Sequence, residues 1–153
     1  MAGTHSQYPV SVRWVGARRA AASSADGLPD LSVGPPPAFG GTAGLWTPEH
    51  LFVLAATSCW LTTFLAVAAS SKLDFVAVEC SGNGTLEQGE DRRFRISAIA
   101  LRPRVTVARG EDGDLAIRLV QKAESICLIR NSMRSEVTME PEILVAADSP
   151  VPA

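Results

Sequence analysis

The sequence predicts an α+β fold: short strands before and after a long central helix, then a second helix and a closing strand. Three observations carry this. Residues 51–71 form an uncharged run of 21 residues that follows the helix-start signal Thr47-Pro48-Glu49. Alternating strand-like stretches, punctuated by Gly-, Pro- and Asp-rich segments, lie on both sides of that run. Ala116, Val120, Ala123 and Cys127, at spacings of four, three and four, share one apolar face of another helix. The order β-β-β-α-β-β-α-β is α+β rather than doubly wound.

Taken in order, three stretches over 10–15, 18–24 and 30–33 read as a small antiparallel meander. The loop "GPPPAFGGTAG" follows it. Thr47 is the expected N-cap of the central helix. Pro48 suits the first helical position, and Glu49 places negative charge at the positive end of the helix dipole. After that helix, 75–80, 84–88 and 93–107 read as strands separated by "SGNG" and "QGEDR". Pro103 breaks the alternation of the last one, which suggests a bulge or an edge. Residues 112–129 read as the second helix and 136–144 as a closing strand. One domain over 1–146 is expected, with 147–153 a flexible tail by composition.

Composition limits the function classes. A chain of 153 residues is long enough to bury roughly two-thirds of its surface as one domain. With 14 basic and 16 acidic side chains, it is no polyelectrolyte, and nucleic acid is not an expected partner. The arginines at 92, 93, 95, 102, 104 and 109 tint the middle strands, but no aromatic side chains interleave with them on one face. They read as solvated strand positions. The start, MAGTHSQYPVSVRW, has no apolar stretch after a basic residue, so no signal peptide is expected. Three cysteines, Cys59, Cys80 and Cys127, have no CxxC spacing and are expected as thiols in the reducing cytoplasm. Two histidines and scattered cysteines make no zinc set. Residues 51–71 are long enough to span a bilayer. Their six Ser and Thr residues and five alanines lower the hydropathy, and a buried core helix is expected instead.

Cys59 shares a helical face with Phe52, Ala55, Ala56, Thr63 and Ala66, and Cys127 ends the stripe of the second helix. Two cysteines 68 residues apart are therefore both placed inward. Small buried hydrophobes would fit that pattern as well as reactive thiols. Cys80, before "SGNG", reads as a structural thiol. His50, beside Glu49, reads as a surface or contact residue.

"WTPEHLFVLAATSCW", the strand-rich middle with "LRPRVTV", and "KAESICLIRNSMRSEVTMEPEI" resemble the OsmC/Ohr family of thiol peroxidases over nearly the whole chain. The most specific part is the T-P-E-x-L-F helix start with a cysteine ten residues after the glutamate, joined to a second inward cysteine on a later helix. The resemblance implies two antiparallel sheet segments around a long buried central helix and a second helix, in an intertwined homodimer. It implies reduction of hydroperoxides, organic ones in particular, with Cys59 peroxidatic and Cys127 resolving. Glu49 would orient an arginine from the "VGARR" hairpin, Arg18 or alternatively Arg19. No metal, flavin or haem is implied; an external dithiol or lipoyl-type donor would supply electrons. A non-catalytic dimer of the same fold, binding an apolar ligand or sensing oxidants, is the alternative function.

The chemistry accounts for such a set. Attack on a peroxide needs thiolate, and a free cysteine with a pKa of about 8.5 is mostly protonated at neutral pH. Cys59 lies too far into its helix to feel the N-terminal dipole, and burial opposes ionisation. A guanidinium, always charged and rich in donors, is the expected remedy. In an alternating strand Arg18 and Arg19 would face opposite ways, so only one could serve. Ten helical residues span about 15 Å, so Glu49 cannot touch Cys59 of its own helix directly. Either a long arginine bridges them or two helices pack antiparallel in a dimer with composite sites. One departure falls after the second cysteine, where the family usually carries proline and this chain has Leu128-Ile129-Arg130. The helix is expected to run on there, with Arg130 a solvated residue completing its dipole.

Overall fold

The computed structural model describes residue 3 and residues 5–147. The rest of the expected tail, 148–153, lies outside the described residues. The fold is α+β, and its internal contacts divide it into two units between Leu51 and Phe52.

The first unit holds a three-stranded antiparallel sheet in the order β1 (Ser11–Gly16), β2 (Arg19–Ser23), β3 (Leu31–Val33). The β1–β2 connection is a tight turn. Gly16, at φ +117°, and Ala17, at φ +46°, take the left-handed conformations that such a turn requires. A 3-10 turn, Pro37–Phe39, follows β3. The chain then returns so that Gly34 donates to the Trp46 carbonyl at 2.9 Å. This return sets the start of α1 (Pro48–Ser70). Thr47 caps it as expected: its hydroxyl accepts the His50 amide at 3.2 Å and lies 2.9 Å from His50 Nδ1.

The second unit carries most of α1, then β4 (Phe75–Gln88), β5 (Phe94–Val107), α2 (Gly113–Ile126), α3 (Leu128–Ser132), β6 (Glu136–Met139) and β7 (Glu142–Val145). Its sheet is mixed. β4 and β5 are antiparallel, while β6 and β7 both add to β5 in parallel. Antiparallel pairing therefore does not extend across the whole sheet, because α2 and α3 return the chain to the far edge of β5 in the same direction.

Three element boundaries differ from expectation for identifiable reasons. "SGNG" is no turn but the middle of β4, where a Cβ at Gly82 would sit 2.2 Å from Thr57 Oγ1 and one at Gly84 2.5 Å from Val53 Cγ2. The glycines are there for the close approach of α1. The closing strand is split into two at Glu140-Pro141. Pro103 makes neither a bulge nor an edge. It pairs with Cys80 inside the ladder, at the junction where β5 exchanges β6 for β7. Leu101 and Val107 accept from Glu140 and Ala146 on that side. Strand alternation puts the missing N–H of Pro103 on the same side, in the gap between the two partners.

The core gathers Ala56, Trp60, Phe64, Val67 and Ala68 of α1 against Ile99, Leu101, Val105 and Val107 of β5 and the α2 stripe. Trp60 stacks on Phe64 with ring centroids 5.3 Å apart, and Phe64 meets Phe75 edge-on at 5.9 Å. Burying aromatic side chains of this size contributes about 2–3 kcal/mol each. Only that face of α1 is covered, however. Phe52, Leu54 and Leu65 remain about 40% exposed, so the helix expected to be buried all round has an open apolar side. Among the described residues α1 is also the one helix long and apolar enough to cross a membrane by length and composition.

Candidate active site

The sequence-predicted residues fall into two groups, one in each unit. In the second unit the structure brings Cys59 and Cys127 together, but only Cys127 is buried: Cys59 is half-buried, on a face of α1 whose Phe52 and Ala66 are exposed. α2 ends at Ile126, and Cys127 takes an extended conformation, φ −63° and ψ 110°, before the chain restarts as α3. The expected continuous helix over 112–129 is therefore broken at the cysteine, although no proline follows it. The break turns the fully buried Cys127 and the amides that follow it toward α1.

The surroundings of the two thiols are opposite in effect. Burial raises the pKa of Cys59. The backbone amide of Ile129, the Cys127 thiol, the Thr63 hydroxyl and the amide of Leu128 all favour its thiolate, and together they hold it below the ordinary thiol value. Thr63 Oγ1 lies 3.9 Å from Cys59 Sγ. Cys127 is pushed up, first by burial and then by its place as donor beside the Cys59 thiolate; the backbone at Arg130 and Ile129 opposes this only in part. Both are free cysteines, and Cys59 loses its proton more readily than Cys127. Sequence reasoning missed the Leu128 and Ile129 amides and the Thr63 hydroxyl, and looked to an arginine alone for this effect. Backbone donors leave no residue-type signal; only the chain break at Cys127 exposes them.

In the first unit Arg18, Arg19 and Glu49 line one cleft of about 530 Å³ together with Trp14, Phe39 and Pro48. The expectation that Arg18 and Arg19 face opposite ways does not hold. Arg18 lies in the β1–β2 turn rather than in a strand, so strand alternation does not separate them. Arg18 Nη1 donates to the Phe39 carbonyl. Glu49 Oε2 is buried and has no hydrogen-bond partner, a state that calls for a donor in a working site.

The remaining candidates are accounted for structurally. Burial pushes the Cys80 thiol up to about 11, and it donates to the Ser81 carbonyl at 3.6 Å. His50 meets Trp46 edge-on at 6.2 Å, besides its part in the helix cap. Arg102 pairs with Glu140 at 2.8 Å; Arg104 pairs with Glu142 at 2.6 Å and with Glu79 at 2.9 Å. Arg102 and Arg104 are thus both solvated, as expected, and ion-paired across the sheet surface. Arg130 pairs with Glu124 at 3.7 Å. Among the described residues no group of three or more His, Cys, Asp or Glu is placed to hold a metal ion.

The model of the family described as OsmC-like protein matches residues 41–142. A relative in Acinetobacter baylyi, named only as an uncharacterized protein, is 28% identical over 144 residues, which cover 92% of this chain and 95% of that one. An OsmC-like protein of unknown function from Vibrio cholerae superposes with a TM-score of 0.82 at 20% identity, covering 90% of this chain and 99% of the other. The organic hydroperoxide resistance protein OhrB of Bacillus subtilis superposes with a TM-score of 0.65 at 26% identity, over 90% of this chain and 97% of OhrB.

Proposed function

The chain belongs to the OsmC-like family, and from that premise we propose that it is a cytoplasmic, thiol-dependent peroxidase acting on organic hydroperoxides. The observation that carries the proposal is the thiol pair: Cys59 favoured as thiolate, with Cys127 beside it as thiol. The Cys59 thiolate attacks the outer peroxide oxygen. The O–O bond breaks, Cys59 becomes a sulfenic acid, and the alkoxide leaves and takes up a proton as the alcohol. Cys127 then attacks the sulfenic sulfur, forming the disulfide and releasing water. An external dithiol reduces the disulfide by exchange, restoring both thiols and leaving as its own disulfide.

Arg18 is the cation proposed to meet the charge that develops on the peroxide oxygens, and Glu49 the carboxylate that orients it. The orphaned Glu49 Oε2 in the cleft that Arg18 lines supports these roles. The apolar open side of α1, with Phe52, Leu54 and Leu65, supports a homodimer. The apolar lining of the same cleft also suits a second reading, a dimer that binds an apolar ligand without turnover.

One experiment separates the two. The protein is mixed with cumene hydroperoxide and dithiothreitol, and peroxide loss and Cys59–Cys127 bonding are followed together. Turnover that depends on dithiol and is abolished in Cys59→Ser is expected. Unchanged consumption by Cys59→Ser would sink the peroxidase reading.

A further inference from the structure

We propose that Gly40 is a positioning residue: with the Phe39 carbonyl it forms a seat for the Arg18 guanidinium, which makes Arg18 rather than Arg19 the arginine of the site. The proposal rests on the peroxidase reading and deepens it.

The seat is built from backbone. Residues 35–37 are three consecutive prolines, and they lead into the 3-10 turn Pro37–Phe39. The turn is closed by two further bonds, from the Gly40 amide to the Pro37 carbonyl at 2.9 Å and from the Gly41 amide to the Pro36 carbonyl at 3.1 Å. Its shape has little freedom. Each proline fixes its own φ, Gly40 stands at φ +79°, and a Cβ at Gly41 would lie 1.6 Å from the Pro35 carbonyl oxygen.

Arg18 occupies the space that this turn leaves open. Its Nη1 donates to the Phe39 carbonyl. A Cβ at Gly40 would stand 2.7 Å from Nη1 and 3.9 Å from Cζ of Arg18, and would meet nothing else within 4 Å. The missing side chain of Gly40 is therefore room for one group, the guanidinium. The donor to Phe39 is one of five N–H groups on a planar fork, so the rest stay available in the cleft with the buried, unpaired Glu49 Oε2. A long, flexible side chain is thereby held before substrate arrives, and its ordering does not weigh on each encounter. Arg19, in β2, lines the same cleft without such a seat.

Substitution at position 40 tests this, because a new Cβ meets the movable end of Arg18 rather than backbone. Gly40→Ala also strains the positive φ; Gly40→Asn tolerates that backbone and still fills the seat. Cumene hydroperoxide turnover by the full chain is measured for both, for Arg18→Ala, and for the double variant Arg18→Ala/Gly40→Asn, with thermal melting alongside. The expected result is about a 100-fold loss of kcat/KM in Arg18→Ala, in the range seen when one charge-stabilising donor is removed. About a tenfold loss is expected in Gly40→Asn, as for a displaced catalytic group. The double variant is expected to be no worse than Arg18→Ala, since Gly40 acts through Arg18.

Three outcomes would overturn the seat: full activity in Gly40→Asn, additive losses in the double variant, or a larger loss in Arg19→Ala than in Arg18→Ala. Failure of the underlying reading looks different, because Cys59→Ser would then consume peroxide as the parent does.

Discussion

At the scale of single residues, two cysteines of similar sequence context end with opposite tendencies because their partners differ. Cys59 receives amide, hydroxyl and thiol donors, whereas Cys127 supplies one. Cys59 therefore carries its charge at lower pH than a free thiol. Its reaction with peroxide is expected to be flat above its pKa and to fall as pH drops through it. The linkage has the same sign. A depressed thiol pKa stabilises the fold above the unfolded thiol's pKa, and that contribution disappears as pH falls through the folded value. Iodoacetamide at neutral pH is expected to label Cys59 first, ahead of the buried Cys127 and of Cys80, whose thiol is pushed up to about 11. Peptide mass spectrometry over a time course reads the order, and earliest labelling at Cys80 would contradict it. Leu128→Pro isolates one donor. Position 128 opens α3, and the extended Cys127 before it already has the conformation that a proline demands. The fold should persist while the Cys59 pKa rises, and turnover at neutral pH should drop about fivefold, the worth of one hydrogen bond. A pH profile identical to the parent's would show that the Leu128 amide has no part.

At the scale of elements, packing overrides local turn signals. "SGNG" has turn composition, yet it stays extended because α1 lies so close to β4 that Gly82 has no room for a Cβ. Thr57 cannot move aside without releasing its own bond to the Val53 carbonyl at 2.8 Å. Gly82→Ala is therefore expected to destabilise the protein by about 1–3 kcal/mol despite the better strand propensity of alanine. Urea unfolding measures it, and a gain in stability would show that the helix can yield. Pro103 and Pro141 act differently from the bulge or edge that Pro103 suggests. Each falls where β5 changes partner, which is why one closing stretch becomes β6 and β7.

For the whole molecule, the open apolar side of α1 is the feature that one copy leaves unexplained. A helix apolar on every face is unsuited to standing half in water. A homodimer covering Phe52, Leu54 and Leu65 is expected, and light scattering on the intact protein measures it. Leu65→Glu should push that equilibrium toward monomer by placing an unpaired charge on the covered face. A monodisperse, fully active monomer of the parent protein would refute the dimer and the composite sites it permits.

Read by itself, the sequence determined the α+β class, the start of α1 at Thr47 and Pro48, and the inward placement of Cys127. Each rests on residue type and spacing within one element, where side-chain chemistry and helical geometry act locally. Tertiary structure decided what those elements bring together. The donors to Cys59 are backbone amides exposed by a chain break, the holder of Arg18 is a carbonyl beside a glycine, and the extended "SGNG" answers to a helix more than twenty residues earlier. Backbone groups are the same at every position, so their use cannot be written in residue types. It follows only from where the packed chain comes to rest.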